Sequence, residues 1–471
     1  LPGLNLNAQA LEALSLPPTT SSRQQDLSAN TEYRFEVGFG RSLTLKLLSG
    51  TAEFFGTEIA PNQTYTFQGI KGAVFTWHGC RIEIGGDADS EYVAEETQMM
   101  SCANTHFALE GLRDRSIQIG AARSNVALTS PDSTDMQGLG PRVLVVGPDS
   151  AGKTTLVRTL TAYAVKTGRQ PIVVNLDPRQ GMLSVPGSLT AAAFSSIIDV
   201  EEGWGSSPIS GPSPIPVKMP LVYHYGLKDP EEGRLFKPLV SRMATAVTSR
   251  LMADKESKHA GCIIDSPGAI SQGRAGTYEN IDHIISEFSV NILITIGSER
   301  LYSDLTRKYS VRTGDDAVHV VRLDKSGGCV DRSEEYMKAL RDAQVKAYFF
   351  GHSAEYSLAP HSQTVDFSDL HIFRFIETEQ DTHDIFNTSP PLFETVSPSA
   401  DMVGKLLAIT TAEPRDEQES IRNASVRGYV WVADVDEAKK KVKVLCPQTG
   451  SVVSNALVLG RWPEDVEGLV G

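Results

Sequence analysis

Apolar positions change their period along the chain. Up to residue 97 they alternate with polar ones: Tyr33, Phe35 and Val37 in EYRFEV, then Leu43, Leu45 and Leu47 in SLTLKLLSG. This is the two-residue period of a half-buried strand. YTFQGIKGAVFTWHGCRIEI continues with aromatic and β-branched residues punctuated by glycine, and short strands at this spacing predict a small sandwich or barrel. NTHFALEGLRDRSIQI predicts a helix over 104–119, and the small, polar AARSNVALTSPDSTDMQGLGP after it reads as a linker or surface loop. From Pro141 to about Gly351 the short apolar runs RVLVVG, PIVVNL, GCIIDS and NILITIG alternate with helical stretches, the layout of a parallel sheet wrapped by helices. GWGSSPISGPSPIPVKMP, residues 203–220, interrupts it with a Pro/Ser/Gly loop. Beyond Gly351 a polar stretch to Ser420 gives way to GYVWVADVDEAKKKVKVLC, in which 434–440 would turn between two strands. The expected architecture is multidomain: an all-β, sandwich-like domain over 1–97, a central α/β parallel-sheet domain over 98–351, and a strand-rich α+β domain over 352–471. No internal repeat is visible.

Composition narrows the function classes. The 471 residues are 40% hydrophobic and 22% charged, ordinary for a globular protein, and the net charge is −14. An acidic chain is not a generic polyanion binder, so a histone-like or coat-like role is disfavoured and nucleic-acid contact would need a local basic patch. Cys80, Cys102, Cys262, Cys329 and Cys446 are odd in number and scattered, without a C-x-x-C pair. That argues against a disulfide framework or zinc site and for a reducing compartment. No apolar run approaches the roughly 18 to 20 residues of a membrane span, and LPGLNLNAQALEALSL lacks the basic and compact apolar regions of a secretory signal. An intracellular protein with no membrane partner is expected. Composition shows no basic cluster that would mark a nuclear protein.

The candidate chemistry lies in VVGPDSAGKTTL. Gly147, Gly152, Lys153 and Thr154 match G-x-x-x-x-G-K-[ST], with Asp149, Ser150 and Ala151 inside the loop and Thr155 after it. Glycines let such a loop wrap its backbone N–H groups around phosphates at the positive end of a helix. Lys153 would reach the β- and γ-phosphates and the Thr154 hydroxyl would ligate Mg²⁺. Leu156, Leu160 and Ala164 then repeat at helical spacing until Gly168. In PIVVNLDPRQG, Asp177 leaves a buried strand at the carboxyl edge, where it could hold Mg²⁺ through water, take a proton from an attacking hydroxyl, or simply cap the turn before Pro178. Gln180 could align a nucleophile or be a surface residue. GCIIDSPG ends another strand at Asp265 and gives D-x-x-G with Gly268, as in a Walker-B aspartate or the Mg²⁺ turn of a GTPase. Guanine-specific folds carry N/T-K-x-D after a later strand; RLDKSGG lacks that form, so GTP is the weaker nucleotide.

LLSGTAEFFGTEI, AVFTWHG, NTHFALE, GPRVLVVGPDSAGKTTL, VNLDPRQG, PLVYHYG, SERLYSDL and KSGGCVDRS occur in this order. Together they resemble the polynucleotide 5′-hydroxyl kinase family, in its eukaryotic, fungal-type Clp branch of pre-mRNA cleavage and polyadenylation factor subunits. The resemblance spans nearly the whole chain. It implies that the central domain is P-loop kinase-like and that the N-terminal domain helps hold the adenine of ATP. Glu32 in TEYRFEV and Lys71 in FQGIK would then contact the base; read from the residues alone, both are solvated strand-edge charges. Active members transfer the γ-phosphate of ATP to a 5′-hydroxyl of RNA. By the resemblance Asp177 is the carboxylate near that hydroxyl and Arg332 the first lid arginine.

Three positions depart from the active pattern. The Thr-Thr-Pro clasp for the acceptor is replaced within LVYHYGLKDP, Leu227 to Pro230; a base-stacking tryptophan falls on Ala269; the second lid arginine falls on Met337. Base stacking of that kind is worth roughly 1–3 kcal/mol. The resulting expectation is a nuclear ATP·Mg²⁺-binding scaffold subunit of the pre-mRNA cleavage factor, needed for cleavage in polyadenylation-dependent 3′-end formation and without efficient kinase activity. The resemblance implies as partners the cleavage-factor scaffold subunit that binds the RNA polymerase II tail and other cleavage-factor subunits, with any RNA contact indirect. An active RNA 5′-hydroxyl kinase is the alternative, and an NTPase switch a third reading.

Overall fold

The structure, a computed structural model, describes residues 22–124, 138–205, 219–230, 233–273, 277–352, 357–376, 391–447 and 454–469. The leading segment, most of the expected linker and most of the Pro/Ser/Gly loop lie outside the described residues. Packing divides the chain into two compact units, one holding residues up to Phe54 with Glu58–Thr97, the other Phe55–Thr57 with everything from Gln98 onward.

The first unit carries β1 (Arg23–Leu27), β2 (Thr31–Val37), β3 (Leu43–Gly50), β4 (Glu53–Phe54), β5 (Thr57–Glu58), β6 (Thr64–Phe67), β7 (Ile70–Thr76), β8 (Cys80–Gly86) and β9 (Ser90–Ala94). They form two sheets, β1-β8-β3-β6 and β5-β4-β7-β2-β9. The alternation read from β2 and β3 is the one that builds the core, with Phe35, Val37, Leu43, Leu45 and Leu47 almost fully buried. Phe35 lies 5.2 Å from Phe67 and 6.2 Å from Phe54, centroid to centroid. A Cβ on Gly72 would stand 2.6 Å from the Phe35 ring, so only glycine lets β7 pass this aromatic cluster.

The second unit begins with α1 (Met99–Ser124), longer than the 104–119 expected. Its buried line includes His106, Arg113 and Ser116 beside Ala103 and Leu109, so apolar periodicity alone understates it. The central strands are β10 (Arg142–Val146), β11 (Ile172–Asn175), β12 (Ser188–Ala193), β13 (Leu221–His224), β14 (Cys262–Asp265), β15 (Ile292–Ile296) and β16 (His319–Leu323). Their order is β13-β12-β11-β14-β10-β15-β16. Strands β11, β14, β10, β15 and β16 pair in parallel, while β12 and β13 extend the β11 edge antiparallel. After β10 the chain builds the sheet first on one side and later on the other, so the carboxyl end of β10 is a topological switch point, where open α/β sheets bind ligands. Helices α2 (Lys153–Lys166), α3 (Phe236–Ala253), α4 (Lys255–Ala260), α5 (Glu279–Phe288), α6 (Glu299–Tyr309) and α7 (Glu334–Phe350) connect the strands.

The polar stretch after Gly351 holds β17 (His361–Asp366), β18 (Ile372–Phe375), β19 (Phe393–Val396) and β20 (Leu406–Thr410), followed by α8 (Gln418–Asn423). Strands β21 (Val426–Asp436), β22 (Lys441–Cys446) and β23 (Leu457–Leu459) complete a sheet ordered β17-β22-β21-β20-β23-β18-β19. Strands β17 and β19 are its edges, and short polar edge strands give little apolar alternation to read. Residues of this sheet, among them Leu406, Tyr429 and Trp431, share one apolar cluster with α3, α5, α7 and β13. Tyr429 donates its backbone N–H to the Tyr348 hydroxyl on α7 at 2.9 Å, and Trp462 donates its indole N–H to the Pro178 carbonyl at 3.1 Å. Among the described residues no helix is long and apolar enough to cross a membrane.

Candidate nucleotide-binding site

The apolar run of β10 ends at Val146, and the next seven residues curl into the start of α2. Gly147 has φ +158° and lies against the Ile296 carbonyl, 2.5 Å from where a Cβ would be. Its N–H donates to the Ser271 hydroxyl at 3.0 Å. Ser150 (φ 55°) and Gly152 (φ 91°) are left-handed, which turns successive N–H groups toward the concave side. Ala151 is buried against the sheet, Thr154 and Thr155 are half-buried on the first turn of α2. Lys153 is buried and folds back to donate to the Pro148 carbonyl at 2.9 Å. The loop thus closes its own cation over itself.

Two carboxylates converge behind it. Asp265 ends β14 in register with Val145 of β10 and Asn175 of β11, and its Oδ2 accepts the Thr154 hydroxyl at 2.5 Å. Its Oδ1 is buried and has no hydrogen-bond partner among the described residues. Burial pushes the Asp265 pKa up to about 6, against the opposing pull of Lys153 and the Thr154 hydrogen bond. Asp177 is 7% exposed. Asn175 holds its backbone through two hydrogen bonds, and its Oδ1 accepts the Arg179 N–H at 3.0 Å. Burial raises its pKa too, countered by Lys153. Of the three roles left open, Asp177 caps the turn, and the same carboxylate also stands within the field of Lys153.

Gly268 lies against the loop: a Cβ there would fall 2.6 Å from the Asp149 nitrogen. Cys329 Sγ comes 2.8 Å from the Cβ position of Gly152, so the KSGGC segment overhangs the loop. Arg332 is exposed and donates to Gln180 Oε1 at 3.3 Å, with Met337 Sδ 3.8 Å away. Of the departing positions, Leu227 is buried and Lys228 pairs with Glu334 at 3.1 Å. Asp229 pairs with Arg179, and Ala269 sits in a short 3-10 turn. Arg179 also pairs with Asp149 at 2.7 Å. No motif marks Ser271 or the pairing of Arg179 with Asp229, because what joins them is the fold of three separate loops.

In the first unit, Glu32 and Lys71 prove to lie on interior strands, not edges: β2 sits between β7 and β9, and β7 between β4 and β2. Glu32 is 6% exposed, paired with Arg34 at 2.7 Å and bonded by the Thr97 hydroxyl. Lys71 pairs with Glu36 at 2.6 Å. Register puts Glu32, Arg34, Glu36 and Lys71 on one face of the sheet, opposite the core face. Arg34 stands 5.9 Å over the ring of Tyr92, itself 47% exposed. No motif marks Arg34 or Tyr92; the signal for them in the sequence is the alternation of charges at 32, 34 and 36.

A phosphate-wrapping loop at a switch point, backed by two buried carboxylates and joined in one chain to a β-sandwich, defines a P-loop nucleotide-binding protein. Family models agree in three blocks: an N-terminal β-sandwich domain of polyadenylation factor over 26–116, the P-loop of mRNA cleavage and polyadenylation factor CLP1 over 147–351, and pre-mRNA cleavage complex II protein Clp1 over 358–464. The chain belongs to the mRNA cleavage and polyadenylation factor CLP1 family. It is 66% identical to the factor of that name from Phaeosphaeria nodorum, across all of this chain and 99% of the relative, and 49% identical to that of Botryotinia fuckeliana, across the whole of both. Two solved structures of Clp1p with Pcf11p match at TM-scores of 0.80 and 0.81, with 26% and 27% identity over 94% of this chain and 98% and 99% of theirs. The second concerns the extended Pcf11p–Clp1p interface and ATP loss in a glycine-to-arginine point mutant.

Proposed function

We propose that this chain is a nuclear scaffold subunit of the pre-mRNA cleavage factor that holds ATP·Mg²⁺ without efficient transfer of its γ-phosphate. One contrast carries the reading. The donor side is assembled, with Lys153, Thr154, Asp177 and Asp265 gathered at the carboxyl edge, while the acceptor-side positions are filled by Leu227, Lys228, Asp229, Ala269 and Met337, whose charges are spent on internal ion pairs. Mg²⁺ fits the residues present: Asp265 Oδ1 is a buried oxygen in want of a partner, next to the Thr154 hydroxyl. Thr154 and Asp265, with Asp177 nearby, would hold the ion, which would supply positive charge to offset the negative charge of the phosphates. Glu32 and Lys71, with Arg34 beside them, would receive the adenine, and Asp149, Ser150, Ala151, Gly152 and Thr155 would complete the phosphate cradle. A division of the second unit near 351 into a central and a C-terminal domain accords with where the family models meet. The partner by this reading is the cleavage-factor scaffold subunit that binds the RNA polymerase II tail, as Pcf11p partners Clp1p in the solved complexes.

The kinase alternative draws on Asp177, whose burial raises its proton affinity against the opposing pull of Lys153, as a general base requires; Arg332 would then serve the transferring phosphoryl. One preparation separates the readings. Nucleotide released from denatured protein is expected to be intact ATP, and native protein given γ-labelled ATP and 5′-hydroxyl RNA is expected to leave the RNA unlabelled. Label on the RNA that vanishes in Lys153→Ala would overturn the scaffold reading in favour of the kinase.

A further inference from the structure

Asp149 is an electrostatic oddity: a carboxylate built into a loop whose task is to receive a polyanion. The structure shows what answers it. Arg179 Nη1 donates to Asp149 Oδ2 at 2.7 Å, and Arg179 Nε donates to Asp229 Oδ1 at 2.8 Å, with Nη2 on the same oxygen. The Arg179 backbone N–H holds Asp177. Arg179 therefore joins the phosphate loop, the turn behind it, and the 227–230 segment that has lost the clasp residues. Its own turn is pinned from the far side, since Gly181 and Gln344 of α7 exchange two hydrogen bonds at 3.0 and 3.1 Å. Asp229 is fixed through its carbonyl, which accepts the buried Tyr225 hydroxyl at 2.7 Å. A planar guanidinium with rigidly placed donors suits such a bridge where a lysine would not.

We propose that Arg179, anchored by Asp229, is a positioning residue that straps the acceptor side of the phosphate loop and slows the departure of bound nucleoside triphosphate. The proposal rests on the nucleotide-holding reading above. The bridge spans the carboxyl edge of the sheet from the phosphate loop to the 227–230 segment, and parting either of its two ion pairs opens it. With side-chain exposures of 25% for Arg179, 47% for Asp149 and 49% for Asp229 the pairs are screened, so the expected effect is about fivefold.

The test is release of a fluorescent N-methylanthraniloyl ATP from the full chain in Mg²⁺, chased with unlabelled ATP. Asp229→Asn and Arg179→Ala should each release about fivefold faster, the double variant no faster than either, and Asp229→Glu at the unaltered rate. The melting temperature of the nucleotide-free protein should not move, which separates a strap from a general structural support. Were Arg179 merely a counter-charge for Asp149, Asp229→Asn would release at the wild-type rate and Asp149→Asn would restore Arg179→Ala; that result overturns the strap. A wild-type chain that binds no analogue at all overturns the nucleotide-holding reading together with it.

Discussion

A methyl group on Gly268 would press 2.0 Å from Asp149 Oδ1 and 2.6 Å from the Asp149 nitrogen. The carboxylate can swing aside, but the backbone nitrogen cannot move without deforming the phosphate loop. Gly268→Ala should therefore cost about 1–3 kcal/mol by overpacking and weaken Mg·ATP binding at least about tenfold, measured by calorimetric titration. His224 supplies a second prediction at this scale. Among the described residues its buried Nε2 has no hydrogen-bond partner and its Nδ1 lies 3.4 Å from the Tyr429 hydroxyl, and burial holds its pKa down to about 4. In the unfolded chain the ring titrates near its ordinary 6.5, so the unfolded state binds the extra proton between these values. The stability due to a neutral His224 is complete above pH 6.5 and is lost as pH falls toward 4, by up to about 3 kcal/mol. Urea titrations across that range should show a midpoint that falls with acid, and a shallower fall in His224→Gln.

Elements differed in how openly the sequence announced them. Strands β10, β11, β14 and β15 of the central sheet are buried on both faces, and their continuous apolar runs mark them almost to the residue; RVLVVG became Arg142–Val146 and NILITIG became Ile292–Ile296. The phosphate loop was legible for the same local reason, since its chemistry is contained in eight consecutive residues. What was not legible depends on partners distant in sequence. Glu32 looks like a solvated charge because a strand's neighbours cannot be seen in its own residues; in the fold β9 pairs beside it and the Thr97 hydroxyl and Arg34 guanidinium bond its carboxylate. Helix α7 makes the point energetically. Tyr348 on it satisfies the buried Tyr429 N–H, so Tyr348→Phe orphans a backbone donor in the core. A loss of about 1–3 kcal/mol is expected, read as a lower thermal midpoint, whereas Ser333→Ala at the head of the same helix removes the cap on the Tyr336 N–H and should cost about 1 kcal/mol.

For the molecule as a whole, nucleotide is by the proposed reading a part of the fold. At a concentration about a hundredfold above its dissociation constant, a ligand that binds only the native state adds about 2.7 kcal/mol to its stability. Mg·ATP should therefore raise the melting temperature of the wild-type chain and leave that of Lys153→Ala nearly unmoved, as checked by differential scanning calorimetry. The same loops that hold the nucleotide are sewn to the C-terminal sheet, most plainly where the Trp462 indole reaches the Pro178 carbonyl beside Asp177. Those two residues are 284 positions apart. A ribosome adding about 5–20 residues per second would place roughly 15–60 s between their appearances. Throughout that interval the newborn chain owns its phosphate loop while the Pro178 carbonyl beside it lacks the Trp462 indole that will bond it, so that one tie between loop and C-terminal sheet can form only when synthesis is nearly over.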